Sequence, residues 1–399
     1  MLQVEEAQAL VMAQVSAGAL EAVPLADALG RVLRESIVAE HDAPAADNSA
    51  MDGYAVRAED LAVAPVTLDV IADIPAGHPT DRTLRPGTAM RIMTGAFVPA
   101  GADTVVQVEL TDGRMDRVTI ERALPRGTNI RKRGEDMRAG QVVLRAGMRI
   151  GPAQIAVLAG AGKRNVSVGR RPVVAILSTG DELIEAGSPP APGKIVNTNG
   201  PQLAALVREA GGIPRPLGIV PDAREATIAA FESALESDLV ISSGGVSVGA
   251  YDFVKEALEA LGAETLFWRV AMKPGKPVVL SRRDERLIFG LPGNPVSCFV
   301  SFHLFVAPAL RKAMGQESDW FPPTVRARVT SPLRAAGDRR LYARAHIAAR
   351  DGELLATPLT SQSSGALTSM TGANALIVVT EDVAAGAAVT VVLLGAIGG

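Results

Sequence analysis

Between residues 171 and 261 the sequence alternates aliphatic segments with helix-forming segments, and this alternation restricts the fold more than any other feature. Strands alternating with helices form βαβ units, with parallel strands and right-handed crossovers. Ligands of such sheets bind beyond the carboxyl ends of the strands. We therefore expect a parallel α/β domain with its site at those ends. Its strands are predicted at 173–177, 213–219 and 238–241, and its helices at 202–210, 225–236 and 251–261.

The flanking segments predict smaller domains. Residues 4–16 predict an amphipathic helix, and short alternating runs from 44 to about 120 predict a β-rich module. Residues 153–159, which follow Pro152 in a first turn, predict a helix that packs back on the N-terminal helix. The β-rich module is then an insertion. Beyond Pro322-Pro323, a barrel or sandwich is predicted from strands at 324–330, 341–348, 375–379 and 388–394.

Together these patterns predict an α/β multidomain protein in four parts. A small, discontinuous α/β N-terminal domain carries the β-rich inserted module, and a central parallel α/β domain precedes a C-terminal β-barrel. The predicted boundaries are 1–43 with 138–170, 44–137, 171–319 and 320–399.

Composition excludes several classes of function. The 399 residues carry a net charge of −3 with a pI near 5.9, which gives no reason to expect a nucleic-acid or anionic-membrane partner. The single cysteine, Cys298, cannot form an intrachain disulfide. The sequence contains no signal-peptide pattern, no apolar span of 18 residues and no histidine spacing typical of zinc sites. We expect a soluble, cytoplasmic protein.

The polar stretch from Asp47 to Ala55 contains turn formers at both ends and is expected to expose two carboxylates and the phenol of Tyr54. Polar loops on a rigid scaffold often carry binding chemistry. An elaborate turn explains the same residues equally well.

A glycine- and serine-rich loop follows the strand at 238–241. Its glycines allow backbone N–H groups to approach an anion, and the following helix adds a favourable dipole. Anion binding is favoured over a tight packing turn. The candidate residues are Ser243, Gly244, Gly245, Ser247, Gly249 and Asp252.

Acidic residues also lie beside the predicted strands. Asp181 and Glu182 follow the first strand, where they suit either a binding site or a helix N-terminus. Asp238 precedes the third strand and is either functional or a strand-boundary residue.

Lys273 and Lys276 flank a Pro-Gly turn in a chain that otherwise favours arginine. Compact ammonium groups suit a small oxyanion, although a solvated turn would also explain one of them. In the stretch 290–297, Pro292 and Pro295 stiffen a strand-to-helix turn, and Ser297 or Asn294 can cap the helix over 296–314. A purely structural role would explain most of the residues in that stretch.

Two further segments of the β-rich module mix polar and charged residues. Residues 91–96 include Thr94, and residues 129–136 combine Arg131 with Asp136. Such a mixture can bind a phosphate through arginine and Mg²⁺ through carboxylates. A solvated, salt-bridged loop is the alternative.

Eight segments resemble the molybdopterin molybdenumtransferase family, the MoeA proteins and the E-domain of gephyrin. They follow the family's order over nearly the whole chain. They are DNSAMDGYA at 47–55, RIMTGA at 91–96, GADTVV at 101–106, NIRKRGED at 129–136, STGDEL at 178–183, SSGGVSVGAYD at 242–252, AMKPGKP at 271–277 and GLPGNPVS at 290–297.

The resemblance implies an elongated homodimer with its active cleft between the molybdopterin-binding α/β domain of one subunit and the β-rich module of the other. It implies that molybdate is inserted into the dithiolene of adenylylated molybdopterin, with AMP release in the presence of Mg²⁺. Contact with the upstream adenylyltransferase is a further implied partnership. The alternatives are that adenylyltransferase itself, which shares the α/β domain, and a non-catalytic molybdopterin-binding scaffold.

The resemblance also implies residue roles. Lys273, Lys276 and Ser297 are expected to hold molybdate, and Asp52 to position metal or water across the subunit interface. Arg340 and Ser363 or Ser364 are looser matches from the C-terminal domain. The expected catalytic residues are Asp52, Thr94, Asp136, Glu182, Asp238, Lys273 and Lys276. Substrate binding is expected from Arg131, Ser243, Gly244, Gly245, Ser247, Gly249, Asp252, Pro292, Pro295 and Ser297. Metal binding is expected from Asp52, Asp136, Asp181, Glu182 and Asp252.

Overall fold

The computed structural model describes residues 1–245 and 253–398. The first 170 residues form three two-stranded sheets and one five-stranded sheet, joined by short connections. In chain order the elements are α1 (Val4–Gln14), β1 (Leu20–Pro24), β2 (Ile37–Val38), β3 (Asn48–Ser49), β4 (Gly53–Val56), β5 (Val66–Ile74), β6 (Thr88–Ile92), β7 (Thr104–Gln107), β8 (Arg117–Ile120), β9 (Ile130–Arg131), β10 (Val142–Leu144), α2 (Pro152–Gly160) and β11 (Asn165–Gly169).

The discontinuous N-terminal part closes through strand pairs from its two halves. β1 pairs with β11 and β2 pairs with β10, both antiparallel. Leu158 of α2 is fully buried in their shared apolar cluster. The expectation that α2 packs on α1 is wrong, because Val4, Ala7 and Val11 of α1 are buried in the core of the central domain. Leu2 also forms a β-bridge with Val270.

The inserted module is a five-stranded sheet in the order β7-β4-β6-β5-β8. All four residues of β4 are buried. The prediction that Tyr54 is exposed is wrong. Its ring is 1% exposed, and its hydroxyl donates to the Arg114 carbonyl at 2.9 Å. Only the first part of the polar stretch lies at the surface.

The central domain continues the chain from residue 173. Its elements are β12 (Val173–Thr179), β13 (Leu183–Ile184), β14 (Ile195–Val196), α3 (Asn199–Glu209), β15 (Ile213–Val220), α4 (Arg224–Ala234), β16 (Leu239–Ser243), α5 (Phe253–Ala260), β17 (Glu264–Trp268), β18 (Met272–Lys273), β19 (Val279–Arg283), β20 (Arg286–Leu291), α6 (Pro295–Ser301), a π-helical segment (Phe302–Val306) and α7 (Ala307–Ala313).

The central sheet has the order β15-β12-β16-β20-β19-β17. The first four strands are parallel. Three of them, β15, β12 and β16, were predicted, whereas β20 and the antiparallel strands β19 and β17 at one edge were not. β12 is aliphatic because helices cover both faces of the sheet. Leu203 and Leu310 belong to the cluster on one face, whereas Phe231 and Leu258 belong to the cluster on the other.

The stretch Pro295–Ala313 is long and apolar enough to cross a membrane by length and composition. However, 72% of its apolar window is buried inside the protein, as in the core helix of a globular domain.

The last domain is a closed five-stranded barrel, which confirms the predicted class. Its strands connect in the cycle β22-β23-β21-β25-β24-β22, and β18 of the central domain adds in parallel to β22. Ile347, Val391 and their neighbours fill the interior. The strands are β21 (Thr324–Val329), β22 (Arg340–Arg350), β23 (Glu353–Pro358), β24 (Ala375–Val379) and β25 (Ala388–Leu393).

Candidate active site

A cavity of about 740 Å³ opens at the carboxyl ends of β12, β16 and β20, the edge predicted for the site. The connections that follow these strands form its walls, and a segment of the C-terminal barrel domain closes one side. The lining includes Ser178 to Gly180, Glu182, Ile195 to Asn199, Asp222, Ser243 to Gly245, Pro277, Pro292 to Pro295, Gly365 and Leu367.

The glycines after β16 bring the backbone against β12. Gly244 and Gly245 have φ values of +91° and +62°, which L side chains rarely adopt. A Cβ at Gly244 would lie 2.7 Å from the Thr179 carbonyl oxygen. The hydroxyls of Thr179 and Ser242 are buried and have no hydrogen-bond partner among the described residues. The predicted Ser247, Gly249 and Asp252 lie outside the described residues.

Asn199, at the start of α3, joins two walls of the cavity. Its amide donates to the Ser243 hydroxyl and to the Gly293 carbonyl, both at 2.7 Å. Sequence reasoning missed this residue. The signal was present, because a polar residue at the start of an amphipathic helix, beside the sheet edge where ligand binding is predicted, is a candidate binding residue.

Three carboxylates meet at the cavity mouth. The Asp181 N–H donates to Asp222 at 3.3 Å, and the Asp222 N–H donates to Asp181 at 3.1 Å. Burial raises the pKa of Asp222, and the charges of Asp181 and Glu182 raise it further. Asp222, which follows β15, was not predicted from the sequence.

Asp238 lies at the opposite edge of the sheet, at the amino end of β16. It accepts hydrogen bonds from Arg170 at 2.6 Å and from the Val173 N–H at 2.7 Å. Burial opposes its ionisation, but these bonds and the charges of Arg170 and Arg286 hold its pKa below the usual range. This position does not fit the predicted catalytic role, and Asp238 acts instead as a strand-boundary anchor.

The two predicted lysines lie on the turn that precedes β19. Both side chains are exposed, and neither forms an ion pair within the described part of the chain. Pro277, which follows Lys276, lines the cavity together with the predicted Pro292 and Pro295. Ser297 is buried in the first turn of α6, and the capping position belongs to Asn294, whose side chain makes no capping bond.

Arg344 of β22 is the largest fully buried side chain of the described residues, and sequence reasoning missed it. Its Nη2 donates to the carbonyls of Ser361 and Ser363 at 2.8 and 3.1 Å. Its Nε and Nη1 have no partner there, and burial lowers its pKa. The adjoining Ser364 carbonyl accepts from the Val296 N–H at 3.2 Å. An arginine within the aliphatic face of a strand could have signalled this site.

The looser match, Arg340, is placed differently. It forms an ion pair with Glu5 of α1, which raises its pKa. That pairing gives Arg340 a partner at the junction between the barrel and the N-terminal helix.

The remaining predicted residues lie in the β-rich module. One carboxylate oxygen of Asp52 accepts from the Thr94 N–H and from the Thr94 hydroxyl, both at 2.7 Å. These bonds, the backbone one first, lower the pKa of Asp52. Arg131 and Asp136 are exposed on the same module.

The salt-bridged-loop alternative is correct for two neighbouring cations. Lys132 pairs with Asp47 at 2.8 Å and Arg133 pairs with Asp42 at 2.5 Å. Among the described residues, no hydrogen bond or ion pair joins the segment 44–137 to the segment 171–319. Asp52 is also not among the described residues that line the cavity of its own chain.

Three family models match the chain in succession. They are described as the MoeA N-terminal region (domain I and II), over residues 2–162, a probable molybdopterin binding domain, over 175–312, and the MoeA C-terminal region (domain IV), over 326–394.

Characterised relatives match along nearly their whole length. A molybdopterin molybdenumtransferase of Bacillus subtilis is 40% identical, covering 94% of this chain and 90% of that protein. Molybdopterin molybdenumtransferase 2 of Mycobacterium tuberculosis is 41% identical over 96% of both chains. The crystal structure of a molybdopterin biosynthesis MoeA protein from Pyrococcus horikoshii OT3 superimposes with a TM-score of 0.85, at 32% identity, over 98% of this chain and 100% of that one.

Proposed function

Because the chain belongs to the MoeA family of molybdopterin molybdenumtransferases, we propose that its cavity inserts molybdate into adenylylated molybdopterin and releases AMP. The protein is a transferase of molybdenum cofactor biosynthesis. The observation that carries the site assignment is the fully buried guanidinium of Arg344, two nitrogens of which lack partners among the described residues and a third of which bonds Ser363, two residues before the cavity-lining Gly365. A buried cation without a carboxylate is costly unless an anionic ligand offsets its charge.

The glycine-rich turn binds the phosphoanhydride of the substrate. Gly244 and Gly245 expose backbone where any side chain would collide with β12. The Ser243 hydroxyl, held by Asn199, faces the same space. Oriented N–H groups and hydroxyls of this kind stabilise phosphate oxygens, and they require no rearrangement when charge develops during cleavage.

The oxyanion site lies between the lysine turn and the barrel. Lys273 and Lys276 supply exposed ammonium groups, and Ser297 supplies a hydroxyl. Arg344 supplies positive charge from the barrel domain. Ser361 and Ser363 hold the guanidinium in place through their carbonyls. These groups hold molybdate near the dithiolene while the phosphoanhydride is cleaved.

The carboxylates at the cavity mouth fit a magnesium ion. Mg²⁺ is commonly bound by one or two carboxylates together with substrate phosphates, so a full protein cage is not needed. Within the described residues no set of three acidic, histidine or cysteine groups forms such a cage. Burial chiefly raises the pKa of Asp222, and the charges of Asp181 and Glu182, which a cation would offset, raise it further. One or two of Asp181, Glu182 and Asp222 would hold the ion together with substrate phosphate oxygens, and the ion would supply positive charge beside the departing phosphate.

The β-rich module completes the cleft from a second copy of the chain. The carboxylate of Asp52 and the Thr94 hydroxyl form a preorganised pair on an exposed surface, with Arg131 and Asp136 on the same module. Within residues 1–245 and 253–398, no hydrogen bond or ion pair links this module to the central domain of its own chain, which supports a homodimer with shared clefts. We also propose that this dimer is cytoplasmic and that it contacts the upstream adenylyltransferase.

The test is AMP release from adenylylated molybdopterin with Mg²⁺, with and without molybdate. Molybdate-dependent release should be lost in Lys276→Ala and kept in Lys163→Ala, whose lysine pairs with Glu40 in the N-terminal domain. Tight substrate binding without turnover would favour a scaffold. Synthesis of the adenylylated species from ATP would favour the earlier enzyme.

A further inference from the structure

A second cavity, of about 360 Å³, lies where the N-terminal, central and C-terminal domains meet, outside the candidate active site. Its apolar wall includes Leu206 of α3, Phe302 of the π-helical segment and Leu393 of β25. Its polar wall consists of Arg149, Glu209, His303 and Arg311. The cavity therefore has an apolar side and a charged side.

The charged side carries more positive than negative charge. Arg311 is partly buried, and its pKa is lowered by burial and by the charge of Arg149, and raised by Glu209. Among the described residues that line this side, two guanidinium groups face a single carboxylate, that of Glu209. Neither arginine forms an ion pair with any residue that the structure describes. Arg311 instead donates to the Trp320 carbonyl at 2.5 Å. An added anion would relieve this repulsion.

His303 adds an unpaired nitrogen to the same wall. Its ring lies edge to face with Phe299, at a centroid distance of 4.6 Å, and with Phe302, at 6.0 Å. Its Nε2 is buried without a hydrogen-bond partner in the described ranges. Burial lowers its pKa to about 4, so the imidazole is neutral near pH 7. Buried polar atoms are nearly always paired, which makes this orphan a second sign of a missing ligand.

We propose that this cavity binds a small organic anion, with its carboxylate or phosphate between Arg149 and Arg311 and its apolar body against Leu206, Phe302 and Leu393. Its size is sufficient, because an apolar cavity of about 150 Å³ already accommodates benzene. Charge-assisted bonds from two arginines fix the anionic end. The apolar wall selects against a bare inorganic ion.

The site is also connected to the active site through one helix. Glu209, at the last turn of α3, lines this cavity, and Asn199, at the first turn, positions Ser243 in the other. An occupant that contacts the end of α3 is therefore placed to influence the substrate cavity.

The proposal is tested by calorimetric titration of the full-length protein with phenyl phosphate, with benzoate and with inorganic phosphate. We expect saturable binding of phenyl phosphate or benzoate, and binding of inorganic phosphate at least about tenfold weaker. Arg149→Ala should weaken the organic anions about tenfold, whereas Arg145→Ala, a nearby exposed arginine that does not line the cavity, should not. Arg149→Gln repeats the test with the side-chain stem retained.

Binding at the active site would give a different pattern. Lys276→Ala would then weaken phenyl phosphate and Arg149→Ala would not, which overturns the proposal. Equal affinity for inorganic phosphate and the organic anions, or no saturable binding by either organic anion, also overturns it. Loss of binding in both Arg149 variants, with Lys276→Ala unaffected, supports it.

Discussion

The guanidinium of Arg344 donates to the carbonyl of Ser363 at 3.1 Å although its side chain is fully buried and no carboxylate pairs with it among the described residues. Such a group costs desolvation energy that two bonds to carbonyls do not offset. The cost is understandable if the positive charge attracts an anionic ligand that binds in the candidate active-site cavity. Arg344 then differs from the surface arginines of this chain, which have partners or solvent.

Arg344→Met separates binding from stability. Methionine keeps an unbranched, flexible side chain and removes a costly buried charge. It leaves the Ser361 and Ser363 carbonyls without this donor. These effects oppose each other, so we expect the free energy of unfolding to change by no more than about 2 kcal/mol. Molybdate affinity should fall about tenfold, because the electrostatic attraction of the buried guanidinium for the anion is lost. Denaturant unfolding and molybdate titration measure the two quantities.

The matched control is Arg326→Met, in which an exposed arginine bonded to Thr390 is replaced on the same barrel. It should leave molybdate affinity unchanged. Unaltered affinity in Arg344→Met would remove the guanidinium from the oxyanion site.

Gly244→Ala is expected to damage both stability and substrate binding. Its Cβ would lie 2.7 Å from the Thr179 carbonyl oxygen at a φ of +91°, so the turn after β16 must shift. We expect a loss of about 3 kcal/mol, from about 1–3 kcal/mol of backbone strain plus the collision. Gly187 has a φ of +88°, and a Cβ at that position would meet nothing within 4 Å. Gly187→Ala therefore measures the conformational cost alone. Urea unfolding and AMP binding compare the two, and equal effects would mean that the close approach is unimportant.

Asp52→Asn keeps the shape of the side chain and removes its charge. The amide can still contact Thr94, so the fold and the dimer should persist while molybdate-dependent AMP release falls at least about a hundredfold. Turnover and sedimentation velocity test the two parts. Near-normal turnover would exclude the carboxylate from the reaction.

Mixing two inactive variants tests the shared cleft. A heterodimer with Asp52→Asn in one subunit and Lys276→Ala in the other keeps one intact cleft, because each cleft takes its module and its cavity from different chains. Random re-association should restore roughly a quarter of wild-type activity. If the clefts lie within single chains, the mixture should remain inactive.

Asp222 and Asp238 should respond oppositely to pH. A raised folded-state pKa means that the native state binds the Asp222 proton more tightly than the unfolded state does. Its contribution to stability therefore falls as pH rises from the unfolded value near 4 through the folded value. Asp222→Asn should raise the unfolding midpoint at pH 7 and weaken stabilisation by Mg²⁺.

The pKa of Asp238 is lowered, so its stabilisation is complete above the unfolded value and is lost as pH falls through the folded one. Asp238→Asn should lower the midpoint at pH 7 because Arg170 and Arg286 lose their partner. Thermal unfolding between pH 3 and pH 8 compares both variants, and the same sign of change at pH 7 would contradict this assignment.

The sequence predicted the parts of the fold that depend on local pattern. The residues of β12 are aliphatic because they are covered on both faces, and this composition is visible without a structure. Tyr54 was mispredicted because its neighbours in sequence are polar, whereas its burial depends on strands that pair with β4 from elsewhere in the chain.

The candidate site shows the same division. Gly244, Lys276 and Pro292 stand in distinctive local runs and were identified from them. Asn199 and Arg344 each have a local signal, a polar residue at a helix start and an arginine in an aliphatic strand, but their contacts within the site arise only from tertiary packing. Asp238 was mispredicted because a residue beside a strand can lie at either edge of the sheet.

The burial of α1 in the central core has a consequence for how the chain is made. Val4 and Val11 leave the ribosome before the α7 residues that cover them, such as Leu310, which are synthesised about 300 residues later. The first helix must therefore remain unpartnered during most of translation, exposing an apolar face that chaperones recognise. Removal of the first 14 residues would accordingly impair the central domain rather than the domain in which the chain begins.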